Sequence, residues 1–178
     1  RAARAHAAAA PRRRDVRQGV SDGTGRVAGG AGPVPGINRC RDAGRLEVVA
    51  SSKDWHPDEH CSFHESVEAG ASPAPLHPSQ DAAAAKGAAV FDKVVLTAPD
   101  GAAPMEQTLW PRHCVQGTRG AELHEGLRTE ADDVLVHKGT EGRIDSYSAF
   151  YDNAKFKQTA LLGELRERGV THVYCCGI

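Results

Sequence analysis

No stretch of the 178 residues approaches the ~18 consecutive apolar positions that a membrane span requires. The start of the chain also lacks the apolar core of about 7–15 residues that marks a secretory signal. Charge of neither sign is in excess: Lys+Arg number 22 and Asp+Glu 23, so no global field points to nucleic acid or an anionic membrane as a partner. No Cys-x-x-Cys pair occurs. The five cysteines, at 40, 61, 114, 175 and 176, are odd in number and follow no disulfide framework. Free thiols in a reducing compartment are expected: the cytoplasm, or in a eukaryote also the nucleus or peroxisome. Cys175 and Cys176 are adjacent, so on a strand their side chains point to opposite faces and are not expected to bridge. Large apolar residues are nearly missing before residue 37. Residues 1–36 are mostly Ala, Arg, Gly and Pro, which cannot bury enough surface to offset chain entropy. An organelle transit peptide and a mispredicted first exon both remain open as sources of this Arg-rich start.

From residue 37 to 178 the text reads as one α/β domain. A short helix is expected over residues 37–43, with Gly44 as its stop. Residues 46–50 form a β-rich run leading into Ser51-Ser52-Lys53-Asp54, and residues 68–89 read as a long surface loop. Val94-Val95-Leu96 is a short strand candidate. Val134-Leu135-Val136 is a buried one that ends at His137-Lys138. Residues 155–168 carry the clearest helical periodicity, with Phe156, Thr159, Leu162 and Leu165 on one side, Gly169 as the stop, and residues 170–176 as the next strand. A helix between two short apolar strands predicts a parallel sheet, whose ligands gather at the C-terminal strand ends. Asp54 and Lys138 both fall at such ends.

Two motifs carry most of the chemistry: Lys53-Asp54-Trp55-His56-Pro57 and Trp110-Pro111-Arg112-His113-Cys114. Asp54 and His56 are two apart, so on an extended segment they point the same way. Together with an imidazole from the second motif they offer one carboxylate and two nitrogens to a divalent metal. Lys138-Gly139-Thr140 and Asp145-Ser146-Tyr147-Ser148-Ala149-Phe150 add a third segment. In this joint occurrence the chain resembles the nicotinamidases of the isochorismatase-like cysteine hydrolase superfamily, with an insert of eukaryotic character before residue 105.

The resemblance implies a three-layer α/β/α fold with a parallel sheet, incomplete in this chain. It implies a metal-dependent amidohydrolase that converts nicotinamide and water to nicotinate and ammonia in NAD salvage. Asp54, His56 and His113 would hold one divalent ion (zinc, iron or manganese), with His60 a possible extra ligand. Lys138 matches the catalytic lysine, which lowers a thiol pKa beside it. Asp15 is the nearest match to the catalytic aspartate, which accepts the thiol proton. Trp110 and Tyr147 match aromatic walls of the pyridine pocket. The family's nucleophilic cysteine is expected shortly beyond Cys176-Gly177-Ile178. A catalytically inactive fragment or pseudogene product is therefore the alternative reading, and this exact polypeptide is expected to be poorly stable and inactive as an amidase.

Overall fold

The computed structural model describes residues 32–43, 46–101 and 103–176. Asp15, Gly44 and the last two residues lie outside them. Among the described residues four α-helices and four strands follow in the order α1 (Val34–Asp42), β1 (Ala50–Asp54), α2 (His64–Glu68), α3 (Ala82–Lys86), β2 (Lys93–Thr97), β3 (Pro104–Thr108), β4 (Val134–Lys138) and α4 (Leu161–Glu167), with a 3-10 turn at Arg119–Ala121. β1 and β4 pair in parallel, with Ala50 opposite Val134 and Asp54 opposite Lys138. β2 and β3 form an antiparallel hairpin with Lys93 opposite Thr108. The α/β class with a parallel sheet is therefore observed.

Two apolar clusters hold these parts. One packs Cys61, Val67, Ala74, Ala85, Val94, Leu96 and Leu109 under the hairpin. The other sets Val134 and Val136 of β4 against Leu161, with Val48, Phe150 and Leu165 at its edge. Only one face of β4 is covered: Leu135, between those two valines, is 49% exposed. The strand is thus one-sided rather than wholly buried, as alternation of side chains across a half-covered sheet requires.

Several elements depart from the sequence expectation. β1 begins at Ala50 instead of residue 46, because its partner β4 begins at Val134 and a strand exists only where ladder bonds can form. The expected loop at 68–89 contains α3, capped by Asp81, whose carboxylate accepts the Ala84 N–H, and anchored by buried Ala85. The long helix over 155–168 is reduced to Leu161–Glu167. Upstream of it, the Asp152 carboxylate accepts the backbone N–H groups of Ala154, Phe156 and Lys157 at 3.1, 2.9 and 2.6 Å. Lys155 is left-handed at φ 63°. This side-chain cage competes with helix formation, and Phe156 ends 49% exposed. Residues 171–176 are not a strand, and Val173 and Tyr174 are 57% and 59% exposed. Among the described residues no neighbouring strand meets their N–H and C=O groups.

α1 buries no residue and is held by polar tethers instead. The Asn38 amide donates to the Gly126 carbonyl at 2.8 Å and accepts the Arg128 N–H at 2.9 Å. Arg41 pairs with Asp133, both side chains being about one-tenth exposed, at 9% and 11%.

Candidate active site and metal centre

The backbone after β1 is gripped on both sides. The Trp55 N–H donates to the Lys138 carbonyl at 2.9 Å, continuing the β1–β4 ladder by one residue. The His56 N–H donates to the Cys114 carbonyl at 3.0 Å, and the His56 carbonyl accepts the Gln116 N–H at 2.8 Å. His56 therefore sits between the segment that carries His113 and the segment that carries Lys138 and Gly139. Further along, the Trp110 N–H donates to the Ser62 carbonyl at 2.7 Å and the Cys61 N–H to the Gly142 carbonyl at 2.8 Å. Three stretches far apart in sequence are thus stitched into one site. Cys114 takes a left-handed φ of 48°, a kink that turns the chain immediately after His113.

Asp54, His56 and His113 each offer a ligand atom, and these atoms lie within 4.8 Å of one another. The His56 Nδ1 is 2.9 Å from the Gly139 carbonyl, and the His113 Nδ1 is 2.7 Å from the Pro111 carbonyl. A carbonyl can only accept, so each Nδ1 carries a proton, which leaves Nε2 as the ligating nitrogen of the ring. His56 Nε2 stands 3.8 Å from Asp54 Oδ1. Burial pulls the His56 imidazole below its ordinary range, the Asp54 charge opposing this, so the ring is neutral and suited to ligation. One carboxylate and two imidazoles, with Asp54 still 28% exposed, match a three-ligand site with an open position.

His60 lies against His56, with ring centroids 4.1 Å apart. Its Nδ1 accepts the Ser62 N–H at 3.2 Å and lies 2.7 Å from the Ser62 hydroxyl. Nε2 consequently bears the ring proton. It is buried without a hydrogen bond of normal geometry, although the Ile144 carbonyl acts on the ring from nearby. Ligation through Nε2 would require the other tautomer. Burial first, and His56 second, push this imidazole down to about 3.

Lys138 ends β4 beside this group. Its ammonium is engaged by the Asp54 carboxylate and donates to the Ser146 carbonyl at 2.9 Å. The Ser146 carbonyl is held in place by a loop closed on itself: the Asn153 N–H donates to the Asp145 carbonyl at 2.8 Å, and the Asn153 side chain accepts the Tyr147 N–H at 2.9 Å. A cavity is lined by Lys138 with Gly139, Thr140, Ser146, Asp152 and Lys157 among others. Trp110 and Tyr147 meet each other, the indole N–H donating to the Tyr147 hydroxyl at 3.3 Å, with Phe91 edge-on to Trp110. Neither of the two lines that cavity.

The expected set of Asp54, His56, His60, His113 and Lys138 is thus brought together, and Asp15 lies outside the described residues. Three residues were given no role of their own by the sequence reading. Asp145, 4% exposed, accepts the Ser146 N–H at 2.7 Å and the Gln107 amide at 3.2 Å, tying the lysine loop to β3. Gln107 is itself 2% exposed. Gly139 supplies the carbonyl for His56. The signals were a polar residue within an otherwise alternating hairpin and a glycine directly after the lysine.

Residues 80–178 match the isochorismatase domain. The chain is similar to the nicotinamidase of Acinetobacter baylyi, being 36% identical over 165 residues that cover 92% of this chain and 65% of that protein. Among solved structures it is similar to an Acinetobacter baumanii nicotinamidase/pyrazinamidase, with a TM-score of 0.62 and 36% identity over 84% of this chain and 59% of that one. A pyrazinamidase of Pyrococcus horikoshii, solved in complex with zinc, aligns with a TM-score of 0.51 and 27% identity over 84% of this chain and 58% of that one. The chain accordingly spans less than two thirds of the length of each of these relatives.

Proposed function

We propose, for a chain that belongs to the isochorismatase-domain family, that the protein hydrolyses the carboxamide of nicotinamide to nicotinate and ammonia in NAD salvage. The observation that carries this reading is the joining of a lysine to an Asp-His-His ligand set through one shared carboxylate, Asp54. The similar nicotinamidase of Acinetobacter baylyi supports the substrate class.

Asp54, His56 and His113 are the proposed ligands of one divalent ion (zinc, iron or manganese), and His60 a fourth ligand only after tautomer exchange. Zinc is the first ion to test, since the Pyrococcus horikoshii relative was solved with it. When bound, the ion supplies a Lewis-acidic anchor for a pyridine nitrogen. Trp110 and Tyr147 are proposed to wall the ring. Lys138, fixed by Asp54 and the Ser146 carbonyl, places a cation where a thiolate and a developing oxyanion would be stabilised. Asp15 is proposed as the carboxylate that takes the thiol proton and returns it to ammonia.

The attacking thiol is not assigned to Cys61 or Cys114. Burial pushes the Cys61 thiol far up, and Cys114 up to about 11, so both stay protonated near neutrality. Cys40, Cys175 and Cys176 are exposed.

The test is ammonia release by the protein expressed from its whole reading frame. Nicotinamide should be hydrolysed and benzamide, which lacks the ring nitrogen, should be a far poorer substrate. Lys138→Ala should abolish release. Equal rates on both amides, or activity retained by Lys138→Ala, would refute the reading.

A further inference from the structure

Gly139 stands where the catalytic lysine segment touches the candidate metal ligand. Its φ is +62°, a region that L side chains rarely adopt. That turn aims the Gly139 carbonyl at His56 Nδ1, at 2.9 Å. The same residue sits close against the imidazole. A Cβ built on Gly139 would stand 2.3 Å from His56 Cε1 and 2.6 Å from Nδ1, distances that real side chains do not show. The ring cannot step aside at no cost, because it is 1% exposed and packed against the His60, His113 and Phe63 rings.

From this we infer that Gly139 is a positioning residue for the metal centre: it fixes both the tautomer and the place of the His56 imidazole. Any residue could offer the carbonyl. Only glycine offers the carbonyl in this orientation together with the space for the ring. Because Lys138 precedes it directly, one short turn sets the ammonium on Asp54 and the imidazole beside Asp54. The order lysine then glycine therefore has a mechanical reason at this site. The inference rests on the reading of His56 as a metal ligand.

The comparison of positive-φ glycines separates the clash from backbone strain. Gly70 has φ +68° and nothing within 4 Å of a built Cβ, so Gly70→Ala carries the strain without the collision. The experiment measures zinc affinity by chelator competition, and the visible spectrum of the cobalt(II)-loaded protein, for the unmodified protein, Gly139→Ala, Gly70→Ala and His56→Ala. Gly139→Ala should bind zinc about tenfold or more weakly and alter the cobalt bands, as loss of an outer-sphere support does, while Gly70→Ala should leave both unchanged.

A urea-denaturation cycle in metal-free buffer reads the contact independently of metal. The cost of Gly139→Ala should fall to that of Gly70→Ala once His56 is replaced by alanine. Zinc affinity of Gly139→Ala within twofold of the unmodified protein, or an equal cost in both backgrounds, would overturn the inference. Undiminished zinc affinity of His56→Ala would instead overturn the metal reading and the positioning role with it. The cycle would then still show whether the Gly139–His56 contact exists.

Discussion

Acid should unfold this protein in part through His60. The ring is fully buried, and its proton affinity drops from 6.5 in the unfolded chain to about 3 when folded. A group whose folded pKa is depressed contributes stability that is complete above the unfolded value and is lost as pH falls toward the folded one. The window is therefore pH 6.5 down to 3. Each pH unit below 6.5 costs about 1.4 kcal/mol, so moving from pH 7 to pH 5 removes about 2 kcal/mol through this one residue. The perturbation that isolates it is His60→Asn. The asparagine carbonyl keeps an acceptor for the Ser62 N–H, which the imidazole Nδ1 now accepts, and does not titrate. The variant should be less stable at pH 7 because it leaves a cavity, but its loss between pH 7 and pH 5 should be about 2 kcal/mol smaller. Urea denaturation in chelator-treated buffer at the two pH values measures both slopes. His56, also held neutral by burial, acts in the same direction, and because its ring lies against His60 the difference between the two proteins includes the coupling of the pair. Parallel slopes for the unmodified protein and His60→Asn would refute the reasoning.

Two further outcomes follow from buried polar contacts. Asp145→Ala leaves the Ser146 N–H without its acceptor in a dry environment and takes from the Gln107 amide one acceptor, the Thr108 carbonyl at 2.7 Å remaining, so the urea midpoint should report a loss of about 2–5 kcal/mol; a loss under ~1 kcal/mol would contradict the network. Asp133→Ala leaves the Arg41 guanidinium, among the described residues, with Glu130 at 3.3 Å as its ion-pair partner. It should cost about 2–4 kcal/mol and expose α1 to limited proteolysis before the rest of the fold.

The parts legible in the sequence are those set by short-range periodicity or by recognisable spacing. Asp54 and Lys138 were expected at strand ends, and the structure places them opposite each other in the parallel register. Asp54 and His56, two apart, do share a side, and His113 arrives from a separate segment as expected. What stayed hidden was set by long-range geometry. Nothing local says that Asp145 faces Gln107, because that contact depends on how the lysine loop lies over the hairpin. Nor does periodicity reveal Asp152, which takes the Phe156 and Lys157 N–H groups from the helix expected over 155–168, with that of Ala154 just before it, and leaves α4 seven residues long. The strand expected at 170–176 failed for a related reason: its composition is β-rich, but a strand is made by its neighbour. Gly139 was noted as part of a motif, yet its purpose lies in the imidazole above it and not in the turn alone.

The central claim is that an amidase centre and a metal centre share Asp54. Ammonia release from nicotinamide should be measured for the protein expressed from its whole reading frame, first stripped with chelator and then reloaded with one equivalent of zinc, iron(II) or manganese(II). The account predicts that release is lost on stripping, returns on reloading, and does not return in Asp54→Ala or His113→Ala. Full activity in the stripped protein, or recovery in those variants, would contradict it.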